Sequence, residues 1–246
     1  SQGRSWGWAS PATLGCLALS AVAIATFVRV EQTTAAPLVV LRWFRTRNIA
    51  FPVLSQMLTN FAYMGGFILI PQVLGERGLG MEKGSVGLLV IARPLAFSLI
   101  APVAALVTIR VGERAAGVAG ALGVVVSMLL WTFVGMDSGN LLIIIATAFS
   151  GIGLGIASPA LTSLMSNSVN QAEMGVAGAM QQLMTQLGAV LGSAVLTTVS
   201  ASAGGGNLVP FHTAFVVAAV VAAMGAVAAS RLSSTPRDGG GVPATG

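Results

Sequence analysis

Charge is what this sequence has least of. Asp, Glu, Lys and Arg make up 8% of its 246 residues, where an ordinary soluble domain carries roughly 25%. Twelve basic and seven acidic side chains cannot cover the outside of a water-soluble globule of this length. A single cysteine, Cys16, excludes an internal disulfide. A single histidine, His212, leaves too few ligands for a histidine-built metal centre. Polarity is also too scarce for disorder, because the mean hydropathy is +0.87. What is present instead is apolar matter, 55% of the chain, and hydrocarbon is the solvent that suits it.

The net charge is +5 and the sequence pI about 11.1. In a soluble protein that balance would raise nucleic acid as a partner; here the arginines cluster in breaks between apolar runs, which points to loop placement at a membrane and to no nucleic acid. Seven runs approach the ~20 residues that cross a ~30 Å hydrocarbon core: 11–30, 50–74, 85–109, 115–135, 141–165, 176–199 and 211–231. The breaks are short, so sequential helices are expected to run antiparallel. The Ser, Thr, Pro and Gly tail over 233–246 has nothing apolar to bury and is expected to be disordered. The chain begins at Ser1 and not at Met, which reads as a piece of a longer protein.

A cleaved signal peptide is the competing reading of the first run. The run is too long for one, lacks a basic leader, and follows Trp6 and Trp8, which suit a membrane interface. With seven crossings the two ends lie on opposite sides. Arg29, Arg42, Arg45, Arg47, Arg110, Arg114, Arg231 and Arg237 gather on one side, against Arg4, Arg77 and Lys83 on the other. The richer side is expected to be cytoplasmic, with the amino end outside and the carboxyl tail inside.

Polar side chains are unevenly shared among the runs. The fourth has only Ser127 and Thr132, and the seventh His212, Thr213 and little else, so both are expected to face lipid on most sides. The second carries Gln56, Asn60, Tyr63 and Phe67, which at ~100° per residue share one narrow stripe. The sixth aligns Gln181, Thr185, Gly188 and Gly192, with Gln182 and Gln186 on the adjoining line. Two such stripes suit either a shared wet cavity or interhelical hydrogen bonds worth about 0.6 kcal/mol each. So many amides on two helices, with two others nearly bare, favour the cavity.

Arg93 is the one charge well inside a run, and Pro94 follows it. A guanidinium at that depth costs at least ~2.5 kcal/mol unless it is paired or wetted, so it either snorkels outward or does work. Gly151, Gly153 and Gly155 before Pro159, and Gly188 and Gly192 four apart, let helix backbones approach. The Gly151 run lacks the spacing and the preceding strand of a phosphate loop. No paired acids, HExxH or cysteine cluster occurs, so no catalytic residue, metal or cofactor is assigned. Cys16 and the ten methionines read as packing residues.

Residues 105–114 resemble a degenerate copy of the cytoplasmic loop signature of the major facilitator superfamily. Arg110, Gly112 and Arg114 match it, while Ala105 replaces its opening glycine and Ile109 its acid. Residues 6–11, Pro37 with Leu38, 41–47 and 186–192 are similar to the fourteen-helix drug:proton antiporters of that superfamily. The resemblance covers nearly the whole chain.

It implies an all-α membrane protein of seven transmembrane helices. The first would be a linker helix, within an outer segment and basic cytoplasmic loop over 1–49; a carboxyl-terminal six-helix domain over 50–232 would follow, built of two inverted three-helix repeats. The fourth and seventh runs, already the barest, would be the peripheral third helices. Thr147 stands where the other half of such proteins carries an arginine, so no proton carrier is assigned. The implied function is export of lipophilic drugs or small amphiphilic metabolites by proton antiport through alternating access. Its partners would be the plasma-membrane bilayer, a small-molecule substrate, protons and a missing amino-terminal half. Gln56, Asn60, Tyr63, Phe67, Arg93, Gln181, Gln182, Thr185 and Gln186 are the expected cavity residues. The alternatives are a non-transporting interaction or sensor module and an intramembrane enzyme, for which His212 is the one candidate side chain.

Overall fold

A computed structural model describes residues 11–33, 43, 46–203 and 207–232. Readings that concern Trp6, Trp8, Arg4, Arg42, Arg45, Arg237, most of the 34–45 loop and the 233–246 tail lie outside the described residues. The chain divides into two units, Ser1–Leu41 and Arg42–Gly246. The first holds helix α1, Pro11–Thr33. The Thr33 hydroxyl donates to the carbonyls of Arg29 and Val30 near its end.

The second unit is a helical bundle: α2 (Arg47–Leu74), α3 (Lys83–Val90), α4 (Ala92–Val111), α5 (Glu113–Trp131), α6 (Asn140–Asn167), α7 (Met174–Val199) and α8 (Val209–Ser230). Helices α3 and α4 form one span interrupted at Ile91, which keeps helical dihedrals. Pro94 has no N–H to give the Val90 carbonyl, while the bonds from Ile91 N to Gly87 O and from Leu95 N to Ile91 O survive at either side. Gly112 alone separates α4 from α5, and its φ of 89° is a conformation that side chains rarely adopt. Six spans in this unit are long and apolar enough to cross a membrane, as expected. The apolar part of α1, Leu14–Val30, is shorter than each of them.

The packing has an exchange symmetry. With α2, α3–α4 and α5 as one triplet and α6, α7 and α8 as the other, α2 packs most heavily on α7 and α8, and α6 most heavily on α4 and α5. The first helix of each triplet thus leans on the second and third of the other. Three crossings per triplet start the second on the face opposite the first, so the repeats are inverted. The spans α5 and α8 also pack on each other, with Trp131 stacked on Phe215 at 5.4 Å between ring centres.

That packing corrects one expectation. Neither α5 nor α8 faces outward on most sides: 44% and 50% of their apolar windows are buried, through alanine and glycine faces that sequence hydropathy does not separate from lipid-facing valine. The least buried spans are Lys83–Ala104 at 11% and Gln171–Ser202 at 22%, the second of each triplet.

Candidate functional site

Helices α2 and α7 meet along glycines. A Cβ on Gly188 would fall against the Met57 carbonyl and one on Gly192 against the Phe61 carbonyl, so backbone lies on backbone there. On α6, a Cβ on Gly153 would lie 2.6 Å from Val124 N of α5, one on Gly151 3.0 Å from Phe97 N of α4, and one on Gly155 3.2 Å from Phe97 O. Pro159 lies inside α6, half-buried.

These close seams decide where the polar stripe of α2 goes. Asn60 is buried, and its Nδ2 donates to the Thr185 carbonyl of α7 at 2.7 Å. Gln56 is buried with Oε1 unpartnered among the described residues. Tyr63 is buried too, and its backbone carbonyl accepts from Arg93 Nη2. Gln181 Nε2 donates to Thr162 Oγ1 at 2.8 Å, joining α7 to α6. Gln182 and Gln186 stand exposed on α7, and Phe67 is 45% exposed on α2.

Arg93 is wholly buried. Its guanidinium carbon lies 3.6 Å from the centre of the Tyr63 ring and 5.6 Å from that of Phe67, so two aromatic faces receive the cation. It turns into the bundle and does not snorkel. Nε and Nη1 have no hydrogen-bond partner among the described residues. Every described carboxylate of this unit lies at a helix end or in a loop: Glu76, Glu82, Glu113, Asp137 and Glu173. The cation therefore rests on a carbonyl and two rings, with donor capacity in reserve.

The open faces have another character. The exposed side of α4 is largely apolar, with Leu95, Leu99, Val103 and Leu106. That of α7 carries Leu187, Val190, Leu191 and Val195 beside Gln182 and Gln186. A cavity of about 550 Å³ lies among Phe51, Val53, Leu54 and Met57 of α2 and Met184 of α7, with Arg47 at its edge. That volume is in the range that takes a drug-sized molecule.

Sequence reasoning missed several contacts. Ser55 and Thr59 are fully buried, and a Cβ on Gly225 of α8 would lie 3.0 Å from Thr59 Oγ1. Their spacing of four was a usable signal. Ser127 Oγ donates to the Ala146 carbonyl at 2.7 Å, Arg47 Nε to the Arg231 carbonyl at 2.7 Å, and Glu113 accepts from Ser163 Oγ at 3.0 Å and Asn167 Nδ2 at 2.9 Å. His212 is half-buried, with Nε2 2.9 Å from the Val134 carbonyl. No group of three or more potential metal ligands occurs among the described residues.

Residues 52–245 match the family model described as Major Facilitator Superfamily. The chain is similar to the tetracenomycin C resistance and export protein of Streptomyces glaucescens, 30% identical over 201 residues, which cover 80% of this chain and 37% of that protein. It is also similar to the lincomycin resistance protein of Streptomyces lincolnensis, 30% identical over 244 residues, 93% of this chain and 48% of the relative. The multidrug transporter protein MdtP of Bacillus subtilis is 23% identical over 206 residues, covering 84% and 38%. The chain thus spans less than half the length of these curated relatives. Among solved structures, a POT family transporter in complex with 5-aminolevulinic acid has a similar fold, with a TM-score of 0.62 at 18% identity over 74% of this chain and 37% of that one.

Proposed function

The chain belongs to the major facilitator superfamily, and from that premise we propose that it is the carboxyl-terminal half of an exporter of lipophilic or small amphiphilic compounds. Family membership makes it part of a membrane transporter and not an enzyme. Export follows the names of its relatives, which describe resistance and export in one and multidrug transport in another. Proton antiport and alternating access follow the resemblance to the fourteen-helix antiporters, and α1 would be the linker helix between the halves. The basic end of the bundle, with Arg47, Arg110, Arg114 and Arg231, would face the cytoplasm of a plasma-membrane protein, so that the amino end lies outside and the carboxyl tail inside.

One observation carries this reading: the second span of each triplet is the least buried, with an open face that is largely apolar on α4 and mixes apolar side chains with Gln182 and Gln186 on α7. In this proposal the amino-terminal half covers those faces and substrate passes between. Phe67, Gln182, Gln186 and the Leu54–Met57–Met184 pocket form the contact surface. Gln56, Asn60, Tyr63, Arg93, Gln181 and Thr185 form a layer behind it that sets its shape and potential. The buried Arg93 cation disfavours a purely cationic substrate and suits a neutral or anionic amphiphile.

The test uses the full-length protein, with the coding region upstream of Ser1, in proteoliposomes. An imposed pH gradient is expected to drive uptake of a lipophilic fluorescent compound in the exchange direction, and a protonophore to abolish it. Gradient-independent flux would remove proton coupling; absence of flux for neutral, anionic and cationic amphiphiles alike would overturn the exporter reading.

A further inference from the structure

The loop motif at Arg110, Gly112 and Arg114 has no part in the substrate surface, yet it borders a cavity of about 740 Å³. Arg110 and Arg114 are among its lining residues, with Val118, Ala119 and Leu122 of α5 and Ser230 of α8. Both arginines are exposed, and neither has a hydrogen-bond or ion-pair partner among the described residues. Glu113 also lines the cavity, and its Oε1 accepts from Ser163 and Asn167 of α6. Val126 and Leu129 farther along α5, and Phe133 just past its end, are 41%, 43% and 74% exposed, an open apolar stripe.

The two ends of the bundle differ in sign. The end holding this cavity carries Arg47, Arg110, Arg114 and Arg231 against Glu113 and Glu173, while the other carries Glu76, Glu82 and Asp137 against Arg77 and Lys83. A cavity lined by two exposed arginines and by apolar side chains of α5 matches a molecule with an anionic phosphate at one end and hydrocarbon at the other. We infer that the cavity seats one anionic phospholipid, its phosphate between Arg110 and Arg114 and an acyl chain along Val118, Ala119 and Leu122. The site is built from residues outside the proposed transport surface, and it stands whether or not the chain exports drugs.

The experiment titrates delipidated full-length protein in detergent with dioleoylphosphatidylglycerol, dioleoylphosphatidylcholine or inorganic phosphate. It reads the unfolding temperature and the lipid retained in native mass spectrometry. Phosphatidylglycerol alone is expected to give a saturable rise and a retained one-to-one adduct. The double substitution Arg110→Gln with Arg114→Gln is expected to weaken that affinity roughly 30-fold. The lysine pair Arg110→Lys with Arg114→Lys retains most of it, and Leu122→Trp weakens it by filling the groove at unchanged charge. Equal retention of phosphatidylcholine, or an equal effect of inorganic phosphate, would overturn the proposal. So would unchanged phosphatidylglycerol affinity in the glutamine pair.

Discussion

At the scale of single residues, Arg93 separates stability from function. A buried cation without a carboxylate is a cost to the fold, and replacing it with an apolar side chain of similar length removes that cost. Its bond to the Tyr63 carbonyl nevertheless ties α4 to α2, and a hydrogen bond from a charged donor contributes about 1.5–3 kcal/mol. Arg93→Met is therefore expected to leave the unfolding temperature of the full-length protein level or raised, while substrate flux in proteoliposomes falls roughly tenfold or more. Arg93→Lys keeps the charge but cannot lie flat on the Tyr63 ring, and is expected to rescue little of the flux. Unimpaired flux in both variants would reduce Arg93 to a packing residue. Asn60 is the plainer case: its amide is spent on the Thr185 carbonyl, so it joins helices before it can meet a ligand.

At the scale of helices, the seam between α2 and α7 is set by what is missing from it. With no Cβ at Gly188 or Gly192, α7 approaches the α2 backbone at Met57 and Phe61. Gly192→Leu is expected to push the pair apart and cost about 1–3 kcal/mol, read as a lower unfolding temperature in detergent. Gly175→Leu, where a Cβ meets open space near the start of α7, serves as the control and should change little. These elements were legible to different depths. The six span boundaries followed from run length and polar breaks. The stripe of Gln56, Asn60 and Tyr63 followed from spacing, but not the direction it faces, because that depends on glycines more than 120 positions away. Arg93 was found from its depth alone; its acceptor, a backbone carbonyl, leaves no trace in side-chain pattern.

At the scale of the whole chain, the distribution of burial is the informative quantity. The α4 and α7 faces are open although they carry large apolar side chains such as Leu99 and Val190. If the other half of a transporter covers them, a thiol placed there reports it. Leu99→Cys and Val190→Cys, each made in a Cys16→Ser background, are expected to react readily with a membrane-permeant maleimide in this chain expressed alone. In the full-length protein, labelling of at least one should slow by roughly tenfold or more, since burial is what controls a structural thiol's access. Equal labelling rates in both contexts would show these faces to be turned to lipid. Hydropathy could not separate the spans in this way, because a valine on an open face and one packed inside the bundle score alike; the difference emerged from packing, where alanine-rich α8 proved half buried and α7 did not.

The crosswise packing of the triplets also governs how the bundle is born. Helix α2 leaves the ribosome long before α7 and α8, the partners on which it leans most. Until they arrive it must wait in the bilayer with the Asn60 amide short of its Thr185 acceptor. Assembly of this unit is consequently a late, concerted event: a nascent chain halted after α5 holds three segments whose principal neighbours have not yet been made.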